Sequence, residues 1–410
     1  MKNLFLTDEL SQVNGEDTSS AIIPARWLLL VVTLLVVFGL TMLYSASYNT
    51  AGLKYFRNQL IWVALGSAGA FAAFVVGYRR IAAGRYWWMG ICFVLLLAAV
   101  LFFPAINGAN RWIRIRLPGL ELSLQPSEFA KIAVALFVAK YCSDNLRTFA
   151  LLRSRNGLLP LALGAGLLIG GILIGRDFGT TLLVLSVTCL TLFIAGLNLR
   201  YFVIPAVIVA LLGVYIVLHD PTRLARITSF TRPELVQQDE GYQLWNSLLA
   251  LGSGGWTGIG FMESRMKAKY LPEAHTDFIL AIVGEELGLI WMLILIALYA
   301  WFTICALKIS LQSPSRLGML LGFALTMGIT LQAAINIAVV SGSAPTKGMP
   351  APFISYGGSN LMASLIAVGL LVSIAAETAS PGYNEEYLNA IRRTFSFLPW
   401  WRGYRNREEE

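Results

Sequence analysis

Long apolar runs alternate with short polar segments along almost the whole chain. A membrane-spanning helix needs about 20 mostly apolar residues, and we count ten such runs. They lie at residues 27–47, 59–77, 86–104, 127–143, 157–175, 179–197, 201–218, 276–307, 317–341 and 358–377. Alternating strand patterns with regular turns, which a membrane β-barrel needs, are not found. The pattern therefore predicts an all-α polytopic membrane protein with ten transmembrane helices.

The distribution of lysine and arginine predicts how these helices are oriented. Cytoplasmic loops carry an excess of both residues, and most of them lie in the two tails and in the loops on the same side. We expect a cytoplasmic N-terminal tail at 1–26, a membrane domain at 27–377 and a cytoplasmic C-terminal tail at 378–410. The segment 219–275 then forms a large extracytoplasmic loop between helices 7 and 8.

The composition agrees with a membrane protein and argues against other classes. Hydrophobic residues make up 57% of the chain and charged residues 13%, whereas soluble proteins average about 25% charged. The formal net charge of +8 is scattered over short loops, which favours membrane topology over nucleic acid as its explanation. The four cysteines lack disulfide or zinc spacing, and no nucleotide-binding motif is present.

The segment 271–288 gathers ionisable residues at the start of the eighth apolar run. Glu273, His275 and Asp277 fall within five residues, and such groups at the mouth of a membrane helix are candidates for function. On an ideal helix, Gly284 and Gly288 lie on the same face as Asp277, so we predict that Asp277 faces a tight helix contact. The alternative is an N-cap or first-turn aspartate.

A second candidate site lies at the start of the fourth apolar run. Glu128 and Lys131 are spaced to pair along a helix, and this pair has a purely structural interpretation as well. Lys131 falls about one turn into the bilayer, where an ammonium needs a partner or a ligand. The preceding loop carries Arg111, which can contribute either to a phosphate-binding rim or to an ordinary interfacial belt.

Two further outer loops hold candidate residues. Arg176 and Asp177 join two helices, and Asp177 can cap the second helix or belong to a site. The loop 342–357 carries Lys347 and Ser355 in an apolar, glycine-rich setting. Irregular backbone at membrane depth is tolerated where it lines a protein-walled cavity, so we expect both residues to face a ligand.

Six stretches of the chain carry a family resemblance. They read, in order, NGANRWI, LQPSEFAK, RDFGTT, GYQLWNSLLALGSGG, YLPEAHTDFILAIVGEELG and PTKGMPAPFISYGGSN. Together they span nearly the whole of 27–377 and resemble the SEDS proteins, which are polytopic peptidoglycan glycosyltransferases. The last two stretches resemble the FtsW branch of that family more than the RodA branch. Two departures are Arg176, where the family usually has proline, and Asn360, where serine is commoner.

The resemblance implies a function at the outer face of the bacterial cytoplasmic (inner) membrane. The substrate would be lipid II, polymerised with inversion during septal cell-wall synthesis. The partners would be a class B penicillin-binding protein transpeptidase and other divisome membrane proteins. Three other interpretations stay open, which are a lipid II flippase, a RodA-type elongation polymerase and a scaffold without chemistry.

The resemblance also assigns roles to the candidate residues. The essential aspartate of the family falls on Asp277, which would act as general base, and the paired Glu and Lys of the family fall on Glu128 and Lys131. The leaving pyrophosphate develops negative charge that fixed cations can stabilise. The candidates are Lys131, Arg111, Arg176, Lys347 or a divalent ion such as Mg²⁺ or Mn²⁺. Asp277 can also ligate that metal, while we expect His275 to orient other groups. No organic cofactor is expected.

Overall fold

A computed structural model describes residues 18–104, 111–117, 120–146, 148, 150–151, 156–219, 241–269, 271, 274–346 and 348–379. Within these ranges the chain forms helices and one pair of strands. The helices are α1 (Thr18–Ala51), α2 (Lys54–Val76), α3 (Tyr78–Ala83), α4 (Arg85–Phe102), α5 (Pro126–Asp144), α6 (Leu158–Ile174), α7 (Phe178–Ile194), α8 (Arg200–His219), α9 (Tyr242–Gly254), α10 (Met266–Lys269), α11 (Ile279–Leu311), α12 (Arg316–Val340) and α13 (Gly358–Ala379). The strands are β1 (Ile113–Leu117) and β2 (Leu120–Leu124).

All ten predicted apolar runs are helices in the structure. Six of the helices, α1, α2, α4, α11, α12 and α13, are long and apolar enough to cross a membrane. The helices α6 and α7 are apolar but have only 17 residues each. The chain is therefore a mostly helical polytopic membrane protein. The count of ten crossings, the domain bounds and the cytoplasmic location of both termini stay predictions.

The all-α prediction is wrong between residues 113 and 124. There β1 and β2 pair antiparallel, with Ile113 opposite Leu124 and Arg114 opposite Ser123. The sequence of β1 alternates apolar and basic residues, which is the period of a strand. This hairpin leads directly into α5. Ser359 of α13 holds the junction, because its hydroxyl donates to the carbonyl of Ser123 and accepts from the N–H of Gln125.

Helix α13 is the most deeply buried of the six long apolar helices. It packs along α2 at small residues, because a Cβ atom on Gly369 would lie only 2.2 Å from the carbonyl oxygen of Ala70. Small residues of this kind let the backbones of membrane helices approach closely. The first turn of α13 is fixed beside the hairpin and α5 by the two hydrogen bonds of Ser359.

The outer segment before α11 is docked on that helix by its backbone. A Cβ atom on Gly254 of α9 would lie 1.9 Å from the carbonyl oxygen of Gly284, so the two chains touch. The N–H groups of Ile259 and Gly260 then donate to the carbonyls of Glu285 and Glu286. The glycine strip predicted to receive another helix thus receives the end of α9 and the turn segment after it.

A buried ion pair holds the same outer segment against α1. The Nζ atom of Lys267 lies 2.8 Å from Oε1 of Glu286, and both side chains are buried. Ser45 of α1 donates to the same carboxylate, and the N–H of Met262 donates to its second oxygen at 3.1 Å. Each charge therefore has several partners, as a buried ion pair requires.

Candidate active site

Asp277 lies in a turn, two residues before α11 begins. The helix starts at Ile279, and Gly288 has φ +78°, outside helical geometry. The prediction that Asp277 shares a helical face with the two glycines is therefore wrong, as is its N-cap alternative, because Phe278 occupies the cap position. Instead, Nδ2 of Asn336 fixes the turn by donating to the carbonyl of Asp277 at 2.8 Å.

The carboxylate of Asp277 and the guanidinium of Arg111 both lie beside Gly348. A Cβ atom on Gly348 would lie 2.9 Å from Oδ2 of Asp277 and 3.8 Å from Nη2 of Arg111. The side chains of Asp277 and Arg111 therefore flank the same small space. The Nε atom of Arg111 is buried and has no hydrogen-bond partner among the described residues. In such an arrangement the half-buried aspartate can accept a proton, and the fixed cation can stabilise an anion.

Asp177 organises the neighbouring turn. Its side chain is buried and accepts from the N–H of Thr180 at 3.3 Å, so the predicted N-cap of α7 is confirmed. It also accepts from Gln125 and Ser127 at 2.8 Å each, and Nη1 of Arg111 lies 3.4 Å away. Asp177 is thus a buried anchor for Arg111.

Arg176 precedes this cap in an unusual backbone conformation. Its φ is +60°, in the left-handed region that non-glycine residues seldom adopt, and the residue is exposed. The departure from the proline of the family is therefore a real change in this turn, because the ring of proline fixes φ near −65°.

Glu128 and Lys131 form the ion pair that their spacing predicts. Oε2 of Glu128 lies 2.6 Å from Nζ of Lys131 and accepts from Nδ2 of Asn360 at 2.8 Å. Lys131 also donates to Oε1 of Gln332 at 2.7 Å. The second departure from the family, Asn360, therefore supplies a hydrogen bond to the carboxylate.

A cavity opens beside this pair. It lies between α5, α7, α12 and α13, with Glu128, Lys131 and Gln332 among its lining residues. The rest of the lining is mostly apolar and includes Ile132, Val138, Leu183, Val187, Leu325 and Ile329. Asp277 does not line this cavity. The motif with Asp277 and the motif with Glu128 and Lys131 therefore lie in neighbouring places and do not share one cavity.

The other predicted residues lie around this centre. His275 stacks on the ring of Tyr55, with centroids 4.4 Å apart, and its carbonyl accepts from the N–H of Tyr356. Ser355 is buried, and its hydroxyl accepts from the N–H of Ala351 at 2.8 Å, which places it within the fold of its own loop. Lys347 and Glu273 lie outside the described residues.

Several polar residues of the site were not predicted from the sequence. Gln125 and Ser127 are buried and donate to Asp177, Gln332 is buried and accepts from Lys131, and Asn336 is buried and donates to the carbonyl of Asp277. The available signal was the two amides inside the apolar run of α12, since buried amides need partners. The ion pair between Lys267 and Glu286 was not predicted either.

No three metal-binding side chains of the His, Cys, Asp and Glu types converge within the described part of the chain. The charges that the structure fixes near Asp277 and Glu128 are the guanidinium of Arg111 and the ammonium of Lys131. A Mg²⁺ ion often uses one or two carboxylates and completes its shell with water and substrate phosphates. Asp277 can supply such a carboxylate ligand, so metal binding stays a prediction.

Comparison with known proteins places the chain among cell cycle proteins. Residues 25–380 match the family described as cell cycle protein, which covers FtsW, RodA and SpoVE. A relative from Trichlorobacter lovleyi, named probable peptidoglycan glycosyltransferase FtsW, is 38% identical and aligns over 85% of this chain and 92% of its own length. A relative of the same name from Thiomicrospira cyclica is 37% identical over 88% of this chain and 95% of its own length.

Two solved structures share this fold. One belongs to a peptidoglycan synthase complex described as coordinating polymerization and crosslinking. It matches with a TM-score of 0.72 and 25% identity, over 86% of this chain and 97% of the other. The other is the rod shape determining protein RodA of Thermus thermophilus, with a TM-score of 0.62 and 25% identity, over 85% and 96% of the two chains.

Proposed function

The chain belongs to the FtsW, RodA and SpoVE family of cell cycle proteins, and from that premise we propose that it polymerises peptidoglycan glycan strands. Its substrate would be lipid II, a disaccharide-pentapeptide on undecaprenyl pyrophosphate, used at the outer face of the inner membrane. The observation that carries the proposal is the meeting of Asp277 and Arg111 at Gly348. A base and a cation are the two groups that this reaction requires.

In the proposed reaction, Asp277 acts as the general base. It takes the proton of the 4-hydroxyl on the acceptor N-acetylglucosamine, and that oxygen forms a bond to C1 of the donor N-acetylmuramic acid. The bond from C1 to the pyrophosphate oxygen breaks, and its electron pair leaves with undecaprenyl pyrophosphate. Attack from the face opposite the leaving group inverts C1. A positioned base of this kind contributes about 10²–10⁴-fold to a rate.

The leaving pyrophosphate needs positive charge, and the fold offers it in two forms. Arg111 is held by the buried Asp177, and Lys131 is held by Glu128 and Gln332. The N-termini of α5, α7 and α13 lie at the same end of the helical bundle as these side chains. Helix N-termini carry partial positive charge, which favours bound anions.

The cavity beside Lys131 fits the lipid part of this substrate. Its walls are mainly apolar, and its charged residues, Glu128 and Lys131, are paired with each other, which matches a polyprenyl chain that carries a charged headgroup. We propose that the first isoprene units enter between α5 and α7. The undecaprenyl chain is much longer than this cavity, so the remainder lies in the bilayer.

The proposal extends to the setting of the enzyme. Relatives named FtsW align over most of the chain, which favours septal synthesis over RodA-type elongation. We propose a class B penicillin-binding protein transpeptidase as the partner, with other divisome membrane proteins around it. A peptidoglycan synthase complex is among the structures that share this fold.

A lipid II flippase is the second candidate, since a cavity within the helical bundle also suits a lipid carrier. The discriminating experiment incubates purified full-length protein in detergent with lipid II, alone and with its transpeptidase partner. Detergent micelles have no two leaflets, so transport cannot produce a signal. Glycan strands longer than one disaccharide support the polymerase. Unchanged lipid II in both reactions, together with lipid II transport in sealed vesicles, contradicts it.

A further inference from the structure

Two side-chain amides on α12 stand beside the two groups of the proposed reaction. Gln332 and Asn336 are one helical turn apart, on the same face. Both side chains are buried, at 2% and 1% exposure, although the helix around them is apolar. An unsatisfied buried amide costs about 1–3 kcal/mol, so their hydrogen bonds are required by the fold.

Asn336 joins two separate loops. Its Nδ2 atom donates to the carbonyl of Asp277 at 2.8 Å and to the carbonyl of Met349 at 2.7 Å. The turn that carries the base is therefore tied directly to the segment that follows Gly348. The second amide atom, Oδ1, is buried and has no hydrogen-bond partner among the described residues, so the two donations of Nδ2 are the contacts that fix this side chain.

Gln332 makes the matching connection to the cationic side. Its Nε2 atom donates to the carbonyl of Pro350 at 2.9 Å, and its Oε1 atom accepts from Nζ of Lys131 at 2.7 Å. The short segment 348–350 is thus held at Met349 and at Pro350 by one helix. Through it, the ammonium of Lys131 is linked to the turn of Asp277.

Gly348, at the start of this segment, lies close to the carboxylate of Asp277. Its φ is outside the left-handed region, so its backbone accepts any residue. The atoms that a methyl group would meet first are Oδ2 of Asp277 at 2.9 Å and Nη2 of Arg111 at 3.8 Å. A methyl group at position 348 would therefore require the carboxylate of Asp277 to move.

We propose that Gln332 and Asn336 are positioning residues for the glycosyl transfer. They hold segment 348–350 between Asp277 and Lys131, so that the base keeps a fixed place relative to the cation and to the open space at Gly348. This inference rests on the proposed function, because the base and the leaving group are those of that reaction.

A double-mutant cycle tests the proposal on purified full-length protein, with lipid II polymerisation as the assay. Asn336→Leu removes both donations, and Gly348→Ala fills the space beside Asp277 without touching Asn336. We expect each change to lower kcat by about 10²-fold, which is the effect of a misplacement near 1 Å. The KM for lipid II stays unchanged, and the acid limb of the pH–rate profile moves. The double variant loses little more than either single one, because both act through the same carboxylate.

Two matched controls separate positioning from general damage. Thr326→Val removes a buried hydrogen bond of α12, from Thr326 to the carbonyl of Gly322, away from the two loops. Gly357→Ala adds a methyl group in the same outer loop, where the nearest side-chain atom is 3.6 Å away. Both controls are expected to keep kcat within about twofold of the parent, because neither residue bonds Asp277, Lys131 or Asn336.

Four results would overturn the inference. They are near-normal kcat in a folded Asn336→Leu or Gly348→Ala protein, losses that multiply in the double variant, an unmoved pH profile, and an equal loss in Thr326→Val. If Asn336→Leu does not fold, Gln332→Met takes its place in the cycle, because it releases the same segment at Pro350, and near-normal kcat in that folded protein overturns the inference. Absence of glycan from the parent protein contradicts the proposed function instead, so the two failures are distinguishable.

Discussion

Nζ of Lys131 lies 2.6 Å from Oε2 of Glu128, one turn inside an otherwise apolar helix. Each member has a further partner on another helix, Gln332 on α12 for the lysine and Asn360 on α13 for the glutamate. The pair therefore joins α5, α12 and α13 at the edge of the cavity. Its burial means that either charge becomes costly once the other is removed.

Lys131→Met should destabilise the protein and abolish polymerisation. The carboxylate of Glu128 would stay buried without its cation, at a cost of about 3–5 kcal/mol. The matched control is Lys140→Met in the same helix. Lys140 pairs with Asp144 at 2.7 Å, but both side chains are partly exposed, and such pairs contribute about 0.3–0.5 kcal/mol. Thermal unfolding in detergent checks this order, and equal shifts for both variants would contradict it.

Asp177→Asn and Asp177→Ala should separate two functions of one side chain. Asparagine keeps the cap of α7 but loses the charge opposite Arg111 and the oxygen that accepts from Gln125 and Ser127, so we expect lower activity and some loss of stability. Alanine loses the cap as well and costs about 0.5–2 kcal/mol more in stability. Ser315→Ala is the control, because Ser315 caps α12 through the N–H of Gly318 far from the site. It should lower stability alone, and a matching loss of activity there would count against the role of Asp177.

The Lys267–Glu286 pair should behave as a structural clamp. Glu286→Gln leaves a buried ammonium unpaired and should cost about 3–5 kcal/mol. Replacing both residues at once, as Lys267→Met with Glu286→Leu, should be less harmful than either single change, because no unpaired charge remains. Limited proteolysis of the outer segment and thermal unfolding measure this order. A double variant that is worse than both single variants would contradict the clamp.

Stability should fall at alkaline pH through Tyr78, which lies outside the long apolar helices. Burial, and then a hydrogen bond with Glu377, raises its pKa from 10.0 to about 12, and its hydroxyl pairs with that of Ser315 at 2.6 Å. A raised pKa means that the neutral phenol stabilises the folded state below pH 10. This stabilisation is lost as the pH rises from 10 toward 12. Tyr78→Phe should flatten that part of the stability curve, measured by thermal unfolding, and an unchanged slope would contradict the assignment.

Local spacing explains which features of the structure could be predicted from the sequence. The length and hydropathy of each apolar run can be read directly from the sequence, so the predicted positions of the helices agree closely with the structure. The Glu128–Lys131 pair and the cap at Asp177 depend on residues three positions apart. Such contacts follow from helix geometry alone.

The features that were missed depend on distant partners or on interrupted periodicity. Asn336 contacts Asp277 from 59 positions away, and no pattern in either segment indicates it. The helical phase of Asp277 was wrong because α11 begins at Ile279 and leaves helical geometry at Gly288. The β1–β2 hairpin was missed because strands of five residues give a weak signal between long apolar helices.

The most direct test of the account is polymerisation of lipid II by the purified Asp277→Asn protein in detergent, with its transpeptidase partner present. Asp144→Asn at the far end of α5 serves as the control, since it makes the same change of carboxylate to amide away from the site. The account predicts that Asp277→Asn stays folded and loses at least about 10²-fold in rate, as expected without a general base, while the control polymerises normally. Near-normal chain synthesis by folded Asp277→Asn would contradict the assignment of the base.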